Sequence, residues 1–121
     1  MQERRKFVRF RVPLCARYKA NDSEPAISAV TRDIGYGGTR LIIDSPEKLL
    51  ENQVVYLEIV FPEETLKFYA QLVWAKKYTE QKQEAGFFFV KLPETYKELI
   101  YKYVVKYAPQ ELTSKWWEVV K

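Results

Sequence analysis

The chemistry open to this chain starts with its arginines. Five of the seven (Arg4, Arg5, Arg9, Arg11 and Arg17) fall in the first twenty of 121 residues. That stretch holds seven Lys or Arg against one Glu, a balance of +6. The remainder holds thirteen against fifteen, a balance of −2, and the two give the net +4. A guanidinium presents a planar fork of donors that matches phosphate or guanine edges two bonds at a time, which an ammonium cannot do. Concentrated arginine in a chain that uses lysine elsewhere therefore points to such recognition, with a solvated basic arm as the plainer alternative. A second group is Asp33-Ile34-Gly35-Tyr36-Gly37-Gly38, a carboxylate beside three of the four glycines. The carboxylate can accept N–H donors, and backbone bare of side chains lets a ligand approach.

Other chemistries are ruled out by what is missing. There is no histidine and a single cysteine, Cys15. Zinc sites of His and Cys are excluded, as are Ser-His-Asp and Cys-His catalysis, which need imidazole as the base. No phosphate-loop or paired-carboxylate motif takes their place. The expectation is a binding protein and not an enzyme, with no metal and no cofactor. A lone cysteine closes no internal disulfide, which fits a reducing compartment. No apolar run nears the roughly 20 residues that cross a bilayer. The charged start at Met1 lacks the apolar segment of a signal peptide. These readings give a cytoplasmic protein without membrane insertion. A composition 47% hydrophobic and 30% charged suits one globular domain.

The elements that must position these residues are mostly strands. Phe10, Val12, Leu14, Ala16 and Tyr18 alternate with polar neighbours, the period of a strand with one apolar face. Asn21 to Pro25 reads as a loop. Further strands are expected at about 26–34, 39–44, 54–61, 66–78 and 85–92, with Pro62 to Thr65 as a hairpin connection. The period then changes. Tyr96, Leu99, Ile100, Tyr103, Val104 and Tyr107 recur at steps of three and four, one stripe on a helix over 93–108. Thr95 and Glu98 fit a capping box at its start. Pro109 interrupts it, and 109–121 is read as a short helical extension holding Trp116 and Trp117. Six strands and a helix predict a mainly β protein, an antiparallel sheet curled into a small barrel with the helix on one end or face.

Order and spacing now identify a resemblance. Arg5-Lys6-Phe7-Val8-Arg9 is an R-x-x-x-R ahead of the first strand, and Asp33 to Gly38 resembles the motif [D/N]-x-S-x-x-G at the end of the second. The Gly-Gly-Thr-Arg-Leu run, Val-x-Leu-x-Ile at 55–59, Leu-Val-Trp at 72–74 and Ala-Gly-Phe-Phe-Phe-Val at 85–90 extend the similarity over 3–108. The chain looks like a PilZ domain, a six-stranded barrel with a C-terminal helix over 1–108. The resemblance implies a receptor for cyclic di-GMP that signals to a protein partner. It assigns Arg5 and Arg9 to phosphate or guanine and Asp33 to guanine N–H donors. Gly38 would turn the chain with positive φ. An arm at 1–9, mobile alone, would fold over the barrel with ligand. Arg4 and Arg40 are candidates for further phosphate contacts, or plain exposed arginines.

One residue departs from the pattern. Gly35 stands where the family usually has Ser, which removes a hydroxyl worth about 1 kcal/mol as a neutral hydrogen bond and loosens the turn. Thr39 is a candidate substitute. Tyr36 is read as an exposed turn residue, with base stacking as the alternative. Trp74 is read as packing, with a place on the ligand surface as the alternative. One of Trp116 and Trp117 is expected on the barrel and the other at a partner. Two other functions compete. One is an adaptor of the same fold, for pili or motility, that no longer binds nucleotide. The other is a barrel for single-stranded nucleic acid, disfavoured because the aromatics at 87–89 sit at core periodicity. No DNA partner is expected.

Overall fold

The computed structural model describes residues 9–20 and 25–110. Among these residues seven strands precede one helix: β1 (Arg9–Phe10), β2 (Cys15–Lys19), β3 (Ile27–Gly35), β4 (Gly38–Ile43), β5 (Val54–Val60), β6 (Thr65–Lys77), β7 (Gln83–Phe89) and α1 (Glu94–Tyr107). All pairings are antiparallel, in the order β1-β3-β2-β5-β6-β7-β4, and β3–β4 pairing closes the ring. β1 and β2 both lie along β3 and act as halves of one stave, so the barrel has the six staves expected. Alternate residues of every stave turn inward. Ile34, Leu41, Leu57, Ile59, Leu66 and Leu72 are wholly buried, and side chains fill the interior as they must in a barrel this small.

The expected unbroken first strand is broken, and the break has a visible cause. Phe10 pairs with Ile34 and Cys15 with Val30, so residues 11–14 face only residues 31–33. Pro13, in the longer segment, has no N–H to give a ladder. The Thr31 side chain fills the gap. Its hydroxyl donates to the Val12 carbonyl and accepts from the Leu14 N–H at 2.8 Å, while the Thr31 N–H donates to the Leu14 carbonyl at 2.9 Å. Val12 and Leu14 stay buried. The apolar alternation therefore survives although the ladder does not. On its other edge β3 shifts register against β4 between Thr31 and Asp33. Such a bulge re-aims the side chains that follow it, here Asp33.

Two boundaries also move. β7 begins at Gln83 and not at 85, because its first residues are polar and read as loop. Gln83 is buried, and its amide donates to the carbonyls of Ser45 and Glu47. The helix begins at Glu94 behind an N-cap of Pro93, with no side-chain cap. Thr95 thus lies inside the first turn and the capping box is not formed. The Pro93 carbonyl instead takes the N–H groups of Tyr96 and Lys97, and Glu94 places negative charge at the positive end of the helix. Ile100 and Val104 are buried, and Tyr103 meets Phe61 edge-on at 5.1 Å. Tyr96 meets Phe68 at 6.4 Å, so the helix covers the barrel end where β5 stops and β6 begins. Among the described residues no helix is long and apolar enough to cross a membrane.

Thr31 generates a prediction. Thr31→Val keeps the shape and leaves the Val12 carbonyl and Leu14 N–H without a partner, so it should destabilise the fold by about 1–3 kcal/mol, while Thr31→Ser costs clearly less. Urea unfolding of both variants is the check; equal midpoints would mean the hydroxyl is not the bridge.

Candidate ligand-binding site

Strand register carries the first sequence motif to the second. The Cα of Arg9 lies opposite that of Gly35, so the second arginine of R-x-x-x-R runs beside the Asp33–Gly38 turn. Arg9 therefore belongs to a strand. Arg4, Arg5 and the rest of the expected arm lie outside the described residues, as do Trp116 and Trp117.

Beside this pairing, one row of residues crosses four strands. Asp33 faces Arg40, Arg40 faces Gly86, and Gly86 faces Trp74, on β3, β4, β7 and β6 in turn. Their neighbours Ile34, Leu41, Ala85 and Phe87 are buried, so the row lies on the outer wall. Two irregularities bring its ends into line. One is the bulge before Asp33, and the other is a register shift in β6 between Leu72 and Trp74.

The Asp33 carboxylate has a side-chain exposure of 3%. Arg40 grips one of its oxygens, Oδ2, with Nε at 2.8 Å and Nη2 at 2.7 Å. Arg40 Nη1 lies 3.6 Å from Glu84, which is also buried, and Arg32 stands 3.9 Å from the other oxygen of Glu84. The hydrogen bond to Asp33 holds the Arg40 guanidinium more firmly protonated than usual; partial burial opposes this, and the two carboxylates add to it. The second oxygen, Asp33 Oδ1, is buried and accepts no hydrogen bond. A buried carboxylate oxygen without a donor is costly to keep. Arg40, a candidate phosphate contact by sequence, has its donors turned to Asp33 and Glu84. Thr39 is no stand-in for the missing serine. It is buried, and its hydroxyl donates to the Asp33 carbonyl at 2.6 Å.

Gly38 corrects an expectation about backbone. No described glycine has positive φ, so Gly38 is not there to turn the chain. A Cβ at Gly38 would lie 2.2 Å from the Phe87 carbonyl oxygen; glycine is required because two strands approach closely. At Gly86 a Cβ would lie 2.4 Å from Trp74 Nε1, since the indole lies over that position. Trp74 is thus half-buried and packed on the barrel's outer surface, which is one form of the packing expected, and Lys76 stands 5.8 Å from its ring. Tyr36 is also half-buried, edge-on to Phe10 at 6.3 Å. Burial first, and then Tyr101 on the helix, push its phenol up. It is not the exposed turn tyrosine expected. Sequence reasoning missed Gly86, Glu84 and Arg32. A lone glycine inside a strand pattern was a usable signal for the first.

The two glycines should respond differently to alanine. Gly38→Ala meets backbone, so it should cost clearly more than the roughly 1 kcal/mol of an average substitution. Gly86→Ala meets a side chain that can swing away, so it should cost less and leave Trp74 more exposed. Denaturant unfolding and acrylamide quenching of tryptophan emission read the two effects; equal costs would contradict the assigned contacts.

Comparison with known proteins identifies the family and the fold. The PilZ domain model matches residues 3–106. The structure is similar to the PilZ domain with c-di-GMP of YcgR from Escherichia coli, with a TM-score of 0.73 at 14% identity over 92% of this chain and 96% of that one. It is also similar to the inhibitor of motility MotI/DgrA of Bacillus subtilis, with a TM-score of 0.71 at 17% identity over 88% of this chain. This chain spans only 51% of MotI, and 50% of YcgR in complex with c-di-GMP, where the TM-score is 0.70 at 18% identity over 96% of this chain. None of the curated proteins matches it. On the family model and the fold together, the chain belongs to the PilZ domain family.

Proposed function

We propose that this chain binds cyclic di-GMP on the outer wall at Asp33, Arg40 and Gly86, under the arginine segment that ends in Arg9, and passes the signal to a protein partner. The observation that carries this reading is the buried, unpartnered Asp33 Oδ1. It needs an N–H donor, and a guanine edge offers an N1–H and an N2 amino group side by side. Arg9, paired through its backbone with Gly35, brings a guanidinium-bearing segment to the same turn. Arg5 and Arg9 supply the phosphate and guanine contacts, Gly35 continues the turn beside Arg9, and Gly38 lets β4 approach β7 closely enough to carry Arg40 to Asp33. Arg4 adds charge beside them. Arg40 acts by holding Asp33. The similar PilZ domain of YcgR is one with c-di-GMP, which supports the ligand class.

A second reading, an adaptor that binds no nucleotide, is favoured by Gly35 alone. Calorimetric titration with cyclic di-GMP separates the two: saturable binding supports the receptor, and no binding by the folded chain leaves the adaptor.

Two variants test the site. Asp33→Ala should weaken binding by about 2–5 kcal/mol, the range for truncating one partner of a buried charged contact. Its thermal midpoint is measured in parallel, because Arg40 also loses its partner; wild-type affinity in a folded Asp33→Ala chain would remove the site from Asp33. Gly35→Ser acts in the opposite direction. Position 35 falls on the same face as Asp33, and with no positive φ there serine meets no left-handed strain. A restored hydroxyl adds about 0.5–1.5 kcal/mol and a stiffer turn about 0.4–1 kcal/mol. Dissociation should therefore tighten by roughly tenfold or more; unchanged affinity would mean the arginines read the ligand without this turn.

A further inference from the structure

Next to the polar row, the outer wall of β5, β6 and β7 is apolar. Tyr56 faces Tyr69, and the Val90 N–H donates to the Tyr69 carbonyl, which sets these three in one row. Val54 faces Gln71 and Gln71 faces Phe88 in the next row, with Val73 beyond. Val54, Tyr69, Val73, Phe88 and Val90 are each 51–58% exposed, and Tyr56 packs edge-on to Tyr69 at 5.6 Å. Single exposed apolar residues are ordinary, whereas adjoining rows of them mark an interaction surface.

The charge at the margin says what fits. Lys19 lies beside Tyr56 across β2 and β5, and Lys67 lies beside Glu58 across β5 and β6. Glu58 is already paired with Arg17 at 2.8 Å. Lys19 and Lys67 have no ion pair among the described residues, and Lys76 flanks the far end beyond Val73. The uncompensated margin is therefore positive. A second copy docking through the same face would present the same positive margin and bring no carboxylates to match it, since a two-fold contact uses one patch on both copies. A partner with carboxylates beside its apolar residues meets no such repulsion.

The patch also adjoins the candidate ligand site. Phe88 faces Gly38, and Gly86 under the Trp74 indole is two residues away on the same strand. We infer that this wall is the docking face for a protein segment that is apolar on one side and flanked by carboxylates. The inference extends the receptor reading by giving it an output surface, although docking itself requires no nucleotide.

The test uses the full chain without nucleotide and two synthetic amphipathic peptides. Both share one leucine face; the opposite face is glutamate in one and lysine in the other. Binding is followed by amide chemical shifts. The glutamate peptide should move the signals of Val54, Tyr69, Val73, Phe88 and Val90, and the lysine peptide should not. Phe88→Ser, and separately Lys19→Glu with Lys67→Glu, should weaken it by about tenfold without lowering the melting temperature. Four results overturn the inference: equal binding of both peptides; shifts confined to another face; self-association of the free chain that Phe88→Ser abolishes, which assigns the face to a second copy; or peptide binding that appears only after removal of 111–121, which assigns it to the chain's own end. Because nucleotide is absent, a chain that binds the peptide but not cyclic di-GMP would sink the receptor reading alone, and the converse would sink only this one.

Discussion

Arg40 holds one oxygen of the buried Asp33 carboxylate through two nitrogens and leaves the other oxygen bare. The irregular parts of the barrel are organised around that contact. Asp33 reaches Arg40 only because β3 shifts register after Thr31, and the shift is tolerated because the Thr31 hydroxyl holds the broken first stave together at Val12 and Leu14. At the row's other end β6 shifts register before Trp74, and the indole comes to rest over Gly86, where no side chain stands in its way. A regular barrel would keep its ladder and lose the row.

The energetics of the row explain why it resembles a site more than a brace. Burying charge costs more than an apolar replacement unless every charged group is met. Arg40 is met twice, by Asp33 and by Glu84. Asp33 is met once and has an oxygen to spare. A purely structural pair gains nothing from that vacancy. A pair that awaits an N–H donor stores the unmet demand until the donor arrives, and binding then recovers it.

Sequence patterns carry some of this and not the rest, and the division is physical. Alternation in 10–18 and the helical stripe of 96–107 are local, so the staves and the helix were legible. The Arg5–Arg9 and Asp33–Gly38 motifs were legible as types, but their meeting depends on the pairing of Arg9 with Gly35, a non-local register. The Asp33–Arg40–Gly86–Trp74 row combines three registers and two irregularities, and no local pattern encodes it. Gly38 was recognised as necessary for the wrong reason. The constraint is the Phe87 carbonyl on another strand and not the chain's own φ. Gln83 and the Thr95–Glu98 pair misled because side-chain polarity was read without its partners: Gln83 finds two carbonyls inside the fold, and Pro93 starts the helix before Thr95 can cap it.

The filled interior decides where function must lie. Leu57, Ile59, Leu66 and Leu72 are fully buried within the staves, so side chains occupy the interior and the proposed binding is assigned to the wall. That wall has two characters side by side. Around β3, β4 and β7 it is polar, with an acceptor unspent; around β5, β6 and β7 it is apolar with a basic margin. They join where Phe88 faces Gly38, and β7 is common to both. A nucleotide laid along the polar row would extend one border of the apolar face and add phosphate charge across the patch from the lysines of its basic margin. Two contributions of opposite sign would couple the faces: phosphates near the basic margin would compete with an acidic partner, whereas base surface near Phe88 would enlarge the apolar contact. Which contribution is larger depends on how far the phosphates lie from Lys19 and Lys67, both on the far side of the patch from Gly38. Salt screening weakens repulsion across the patch more than it weakens direct contact at Phe88, so on the proposed reading the shared strand would favour cooperation between ligand and partner.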